Sequence, residues 1–232
     1  MGQVAEGLAT VQSRIDAACA KAGRDPQGVR LMAVTKTHPA SVLREAYEAG
    51  CRLFGENKAQ EATAKADELS DLTDLRWAYI GHLQTNKIKD VARFAAEFHA
   101  LDSIRVARTL DARLDDLDRD LDVFIEVNSS GEQSKFGLAP EDVAAFAVEL
   151  ASFPRLRVRG LMTLAVFSSD ESAVRGCFQR MQDLQSRLRG LDAAPGSYDE
   201  LSMGMSGDFE LAIEYGATTV RVGQAIFGER RT

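Results

Sequence analysis

The sequence lacks long apolar runs. No stretch of its 232 residues is long enough to cross a bilayer, and Glu6, Arg14 and Asp16 interrupt the first turns, where a signal peptide needs an apolar segment. Cysteine is scarce. Cys19, Cys51 and Cys177 are odd in number and scattered, with no paired spacing for a disulfide framework or a zinc site. All three read as small buried hydrophobes in a reducing compartment, so a cytoplasmic protein is expected. Basic residues are outnumbered 35 to 28, giving a formal net charge of −7 and no evident basic face. That argues against a nucleic-acid binder but leaves room for a local phosphate pocket. The nucleotide loops GxGxxG and GxxxxGK(S/T) occur nowhere.

What the chain does have is alternation. Val4, Leu8, Val11, Ile15 and Cys19 fall on one face of an N-terminal helix that ends near Gly23. Eight short apolar runs follow, at 30–36, 53–55, 75–80, 98–102, 121–128, 156–162, 199–203 and 217–222, separated by helical patterns rich in Ala, Leu, Glu and Arg. Ser103 is placed to cap one of these helices. Pro140, Glu141 and Asp142 are expected in the first turn of another, and Gly190 stops a third. Eight βα units without linker or repeat predict one domain over residues 1–232, a (β/α)8 TIM barrel preceded by an extra helix. An open doubly wound sheet is the alternative, and it would usually show fewer strands or a glycine-rich loop after the first.

Polar residues gather where these strands end: Lys36, Glu56 and Asn57, His82, Asp102 and Ser103, Asn128, Thr163, Ser202 to Ser206, and Arg221 to Gly223. Active sites of such barrels are built on that rim. Lys36 shares the parity of Met32 and Val34. It is either a lysine snorkelling to the rim or a desolvated amine able to attack an aldehyde. In "SMGMSGDFELAI", Gly204, Ser206 and Gly207 let a tight turn aim backbone N–H groups outward, an anion site, although Ser206 as a simple helix cap is the alternative. Arg221, on an inner strand, needs an acceptor: Glu210, Asp208, a ligand phosphate or a ring nitrogen. An amine and a phosphate cradle on one rim point to pyridoxal 5′-phosphate (PLP), and a phosphosugar aldolase meets the same two requirements.

The segments "AVTKTHP", "FGENKAQEA", "IGHLQTNKIK", "VNSSGEQSKFGL", "RGLMTLA" and "LSMGMSGDFELAIEYGATTVRVGQAIFGER" resemble the YggS/PROSC family, the pyridoxal phosphate homeostasis proteins, over about residues 27 to 230. The resemblance implies a barrel like the N-terminal barrel of alanine racemase, the PLP fold-type III arrangement, with PLP as an internal aldimine on Lys36. It also implies phosphate contacts at Ser206, Gly223 and neighbouring backbone, Arg221 near the pyridine nitrogen, and a pocket lined by Asn57, His82, Met162 and Ser202. Met203, Gly204 and Gln224 join the expected cofactor-binding set. Gln224 and Lys58 depart from the pattern, which often has threonine and an aromatic there, so the resemblance implies neither a side-chain phosphate contact at Gln224 nor ring stacking at Lys58.

Because the sequence stops at Thr232, the C-terminal β-domain that gives alanine racemase its second base and its dimer clamp is not expected, and a monomer is the expectation. Tyr47, Tyr79, Tyr198 and Tyr215 carry no motif and read as structural. The expected function is to hold PLP and supply it to apo PLP-dependent enzymes, in vitamin B6 homeostasis, rather than turnover. The alternatives are a low-activity PLP-dependent racemase or decarboxylase using His82 or Lys135 as acid/base, and a PLP-free Schiff-base aldolase. Acids as close to the anion site as Asp208 and Glu210 would weaken phosphate binding.

Overall fold

A computed structural model describes residues 2–228. Eight parallel strands, β1 (Arg30–Val34), β2 (Leu53–Glu56), β3 (Arg76–Tyr79), β4 (Glu97–Leu101), β5 (Leu121–Glu126), β6 (Leu156–Met162), β7 (Glu200–Ser202) and β8 (Thr219–Val222), pair in chain order. The ring closes where β8 meets β1, with Met32 opposite Arg221. Closure decides between the two architectures: an open doubly wound sheet has free edges, and this sheet has none.

Helices follow the strands: α1 (Gln3–Lys21), α2 (Ala40–Glu48), α3 (Ala59–Glu68), α4 (Ile88–Phe94), α5 (Ile104–Asp116), α6 (Val143–Glu149), α7 (Glu171–Arg189), α8 (Phe209–Glu214) and α9 (Gln224–Phe227). The extra helix α1 buries Val4, Leu8, Val11, Ile15, Ala18 and Cys19 against α8, α9 and α2, and so covers the seam where the barrel closes. Among the described residues no helix is long and apolar enough to cross a membrane.

Side chains alternate between two environments, as period-2 strands require. One set, including Ala33, Phe54, Trp77, Phe98, Val123 and Val220, forms the main core under the helices. Met32, Leu53 and Ala78, with Ile80, make a small separate cluster inside the barrel. The three cysteines are free and buried, as packing residues should be.

Two helix starts differ from expectation. Ser103 occupies the N-cap position of α5, but its hydroxyl makes no capping bond. Helix α6 begins only at Val143, and Pro140 to Asp142 form the turn before it. The proline fixes that turn, and the Asp142 N–H bonds back to Ala139 O. Asp170, by contrast, caps α7 by accepting from Ser172 N at 2.9 Å.

The candidate cofactor site at the barrel mouth

The C-terminal ends of the strands surround a cavity of about 980 Å³. Lys36 reaches it from the turn after β1, Asn57 from β2, His82 from the loop after β3, and Arg221 from β8. Ser206, Gly207 and Asp208 border it after β7, Gly223 and Gln224 after β8. Of the residues singled out from sequence, Lys36, Asn57, His82, Ser206, Arg221, Gly223 and Gln224 therefore share one wall-to-wall space. Met162, Ser202, Met203 and Gly204 lie outside its lining. Met203 packs at 0% exposure into the core under the helices, so its side chain faces away from the barrel interior.

The ground beneath Lys36 is a clamp. Its neighbours are both tied to α3: Lys65 Nζ donates to Thr35 O at 2.8 Å, and Thr37 N donates to Glu61 Oε1 at 2.6 Å. Thr37 sits at φ 70°, a left-handed conformation rare for a threonine, and that bond helps to fix it. Lys65 is buried and also pairs with Glu56 Oε1 at 2.6 Å, an oxygen that accepts from Thr35 Oγ1 at 2.5 Å. Burial raises the Glu56 pKa, against the hydrogen bonds from Lys65 and Thr35.

Beside the end of β1, after β7 and β8, lies a cradle of backbone. Gly204 has φ +92°, and a Cβ there would stand 2.8 Å from Phe209 Cα, so the turn after β7 admits only glycine. A Cβ on Gly223 would stand 3.0 Å from Val34 O, which shows how closely β8's end approaches β1's. Among the described residues the N–H groups of Ser206, Gly207, Gly223 and Gln224 meet no acceptor. The Ser206 hydroxyl does not cap α8; it accepts from Ala225 N at 3.5 Å and so joins the two loops. Asp208 accepts from Met205 N at 2.6 Å. Its pKa is raised by burial, against that bond and the Arg221 charge.

Arg221 finds acceptors that sequence reasoning did not name. Its guanidinium donates to Ser202 O at 2.6 Å, Ser202 Oγ at 2.8 Å and Thr163 O at 2.6 Å. Among the described residues no carboxylate pairs with it directly. Glu210 instead faces outward and pairs with Arg14 on α1 at 2.6 Å. Burial lowers the Arg221 pKa to about 10, and the charges of Asp208 and Glu126 only partly oppose this.

Glu126, at the end of β5, was not singled out. It lines the cavity, is 6% exposed, and leaves Oε2 without a hydrogen-bond partner. Burial and, secondarily, the nearby Asp102 raise its pKa to about 7, with Arg221 pulling the other way. The available signal was parity: Glu126 is two residues beyond Phe124, on the inward face. Asn128, the polar end noted for this strand, is occupied in its own loop, donating to Glu132 O and accepting from Ser130 and Gly131. Asn57 Oδ1 is a second buried acceptor at the cavity with no partner.

Two acid/base candidates are placed differently from one another. His82 stays at the rim, 4.0 Å from Asp102 and stacked on Phe136 at 4.4 Å. Lys135 does not line the cavity; its ammonium donates to Ala165 O at 2.9 Å and pairs with Glu132 at 2.7 Å. Tyr79, read as structural, does reach the lining, with its hydroxyl donating to Asn57 O at 3.3 Å. Lys58 lines the mouth where an aromatic was missed, and the exposed aromatics come instead from Phe136 and Phe167.

The profile of the alanine racemase N-terminal domain matches residues 8–231. A pyridoxal phosphate homeostasis protein of Pseudomonas aeruginosa is 44% identical over 231 residues, 99% of this chain and 97% of that one. That of Escherichia coli is 41% identical, covering 99% and 98%. Among solved structures, PipY of Synechococcus elongatus with PLP bound superposes with a TM-score of 0.85 at 36% identity, over 97% of this chain and all of that one. An alanine racemase of Clostridium difficile shares the fold, with a TM-score of 0.74 at 13% identity, and this chain spans 58% of its length. Fold, matched span and full-length relatives agree: the chain belongs to the alanine racemase N-terminal domain family, in its YggS/PROSC branch of pyridoxal phosphate homeostasis proteins.

Proposed function

We propose that this chain binds PLP in the barrel-mouth cavity and acts in PLP homeostasis, holding and supplying the cofactor rather than turning over a substrate. One observation carries the reading: a single cavity has a lysine amine on the β1 side and a cradle of unsatisfied backbone N–H groups on the β7 and β8 side. When bound, PLP supplies an aldehyde that condenses reversibly with a primary amine, and a phosphate that needs donors. The residues fit both ends. Lys36 is the amine, and the N–H groups of Ser206, Gly207, Gly223 and Gln224 are the donors, with Gly204 and Gly223 standing where a Cβ would crowd the turn or the strand end. Gln224 serves through its backbone, so the loss of a hydroxyl side chain there is tolerated.

Asn57 and His82 border the ligand, and Arg221 presents its guanidinium to it. Ser202 acts on the ligand only through Arg221, and Gly204, Met203 and Met162 shape the wall from behind. The homeostasis relatives and the PLP-bound PipY support this reading. The mouth is rimmed by exposed Phe136, Leu164 and Phe167, an apolar edge suited to meeting an apo PLP-dependent enzyme in the cytoplasm.

Loading the chain with PLP, removing free PLP with a scavenger and adding an apo-enzyme tests supply. Reactivation faster than spontaneous PLP loss from the chain supports direct transfer, and reactivation no faster than that loss contradicts it. Glu126 favours a second reading, a slow racemase or decarboxylase, because a cavity carboxyl with pKa about 7 can hold or accept a proton at neutral pH. Release of deuterium from an α-deuterated amino acid would select the racemase, and release of CO2 the decarboxylase, with either signal lost in Glu126→Gln.

A further inference from the structure

A buried histidine lies one residue beyond the cavity lining. His99, at the centre of β4 and 0% exposed, places Nδ1 2.9 Å from Ser202 Oγ and Nε2 2.9 Å from Glu97 Oε2. Its ring is stacked on Phe124, centroids 3.9 Å apart, which fixes the ring plane. Ser202 Oγ is in turn 2.8 Å from Arg221 Nη1. Glu97 continues the line to Arg30, 2.7 Å away, and Arg30 to Glu200, 2.6 Å away. Polar side chains thus connect the cavity floor to the opposite end of the barrel.

Donor and acceptor rules fix every proton in this line. A guanidinium has no acceptor, so Ser202 Oγ accepts from Arg221. The Ser202 hydroxyl then has to donate, and its one other partner among the described residues is His99 Nδ1. That nitrogen must carry a lone pair. Glu97 is a carboxylate: burial alone would raise its pKa, but the bond from His99 and the Arg30 guanidinium, which donates to both of its oxygens, hold it below the usual carboxylate range. His99 Nε2 must therefore carry the proton. An imidazolium would leave the Ser202 hydroxyl with no acceptor in a site closed to water, a cost that buried hydroxyls avoid.

We propose that His99 is a positioning residue for the ligand site: a neutral Nε2–H imidazole that locks the Ser202 hydroxyl and, through it, holds Arg221 in one orientation beneath the ligand. The extension to PLP rests on the function proposed above. The same line explains how Arg221 keeps its place with no carboxylate paired to it among the described residues. Its bonds to two carbonyls leave the guanidinium able to pivot, and the third, to a hydroxyl that cannot rotate, removes that freedom.

Two variants separate this role from simple packing. His99→Asn puts a carbonyl oxygen near the Nδ1 position and restores an acceptor for Ser202. His99→Gln reaches toward the Nε2 position and keeps the Glu97 contact but not that acceptor. The tautomer is read first, by 1H–15N imidazole correlation on cofactor-free protein between pH 6 and 8, together with the Arg221 side-chain N–H signals. Expected are the neutral Nε2–H form throughout, and Arg221 signals that stay resolved in His99→Asn and average in His99→Gln. For PLP, His99→Gln is expected to weaken binding about tenfold, the scale of one buried hydrogen bond, and His99→Asn less than about threefold. An Nδ1–H tautomer, an imidazolium, or equal effects of the two variants overturns the proposal. If the parent protein does not bind PLP, the proposed function fails, and the cofactor-free spectra still decide the role of His99.

Discussion

Glu126→Gln should make the protein more stable at pH 8 and no more stable at pH 4.5. The carboxyl is 6% exposed, so solvent screens it little. Its pKa rises from 4.5 unfolded to about 7 folded, chiefly through burial. A raised carboxyl binds its proton more tightly in the folded state. Below pH 4.5 both states are protonated and there is no cost. Between pH 4.5 and 7 the unfolded chain has released a proton that the folded one keeps, and stability falls as pH rises. Above pH 7 the cost is complete and constant. A shift of about 2.5 units corresponds to about 3 kcal/mol at 1.36 kcal/mol per unit. Glutamine keeps the shape and lacks the charge. Melting cofactor-free protein and variant side by side from pH 4.5 to 8.5 cancels every other titrating group. For a chain of this size the expected gain is roughly 6–12 °C at pH 8, fading to nothing at pH 4.5. A gain independent of pH, or a loss that grows with pH, would refute the reasoning, the latter meaning that attraction to Arg221 outweighs burial.

Other perturbations have equally definite outcomes. Lys65→Met leaves Glu56 as an unpaired buried charge and should cost about 3–5 kcal/mol by urea unfolding, with Glu56→Gln in the same chain recovering much of it. Gly204→Ala forces a Cβ against Phe209 and Ala212 at φ +92° and should cost at least about 1–3 kcal/mol, while Gly207→Ala, which meets open space, should cost under about 1 kcal/mol. Glu97 behaves oppositely to Glu126. Its pKa is held below the usual carboxylate range by the His99 bond and the Arg30 guanidinium, so its contribution is full above pH 4.5 and is lost as pH falls below that. Glu97→Gln should therefore flatten the acid limb of the stability profile.

The barrel was legible because its signals are local. Each strand is a short apolar run, each strand end is polar, and a parallel sheet buried on both faces needs both features. Lys36, Asn57, Ser206, Arg221 and Gly223 were legible for the same reason, lying at or just past strand ends in recognisable segments. What escaped depends on contacts between distant residues. Met203 sits between Ser202 and Gly204 in the sequence, yet the pleat turns it into the outer core. Glu210, close to the anion site in the chain, is drawn outward by Arg14 on α1. His99, in the middle of "EFHAL", reads as packing until Ser202 and Glu97 are seen on its two nitrogens. Lys65 is an ordinary helix lysine until the barrel brings Glu56 and Thr35 beneath it.

The most direct test of the central claim is the visible absorption spectrum of the purified protein with PLP, recorded beside Lys36→Ala, before and after borohydride. A yellow band in the parent, bleached by borohydride, with the added mass on the peptide carrying Lys36 and neither signal in the variant, is the predicted result. A parent protein that stays colourless with PLP, or a Lys36→Ala variant that keeps the reducible band, would contradict it.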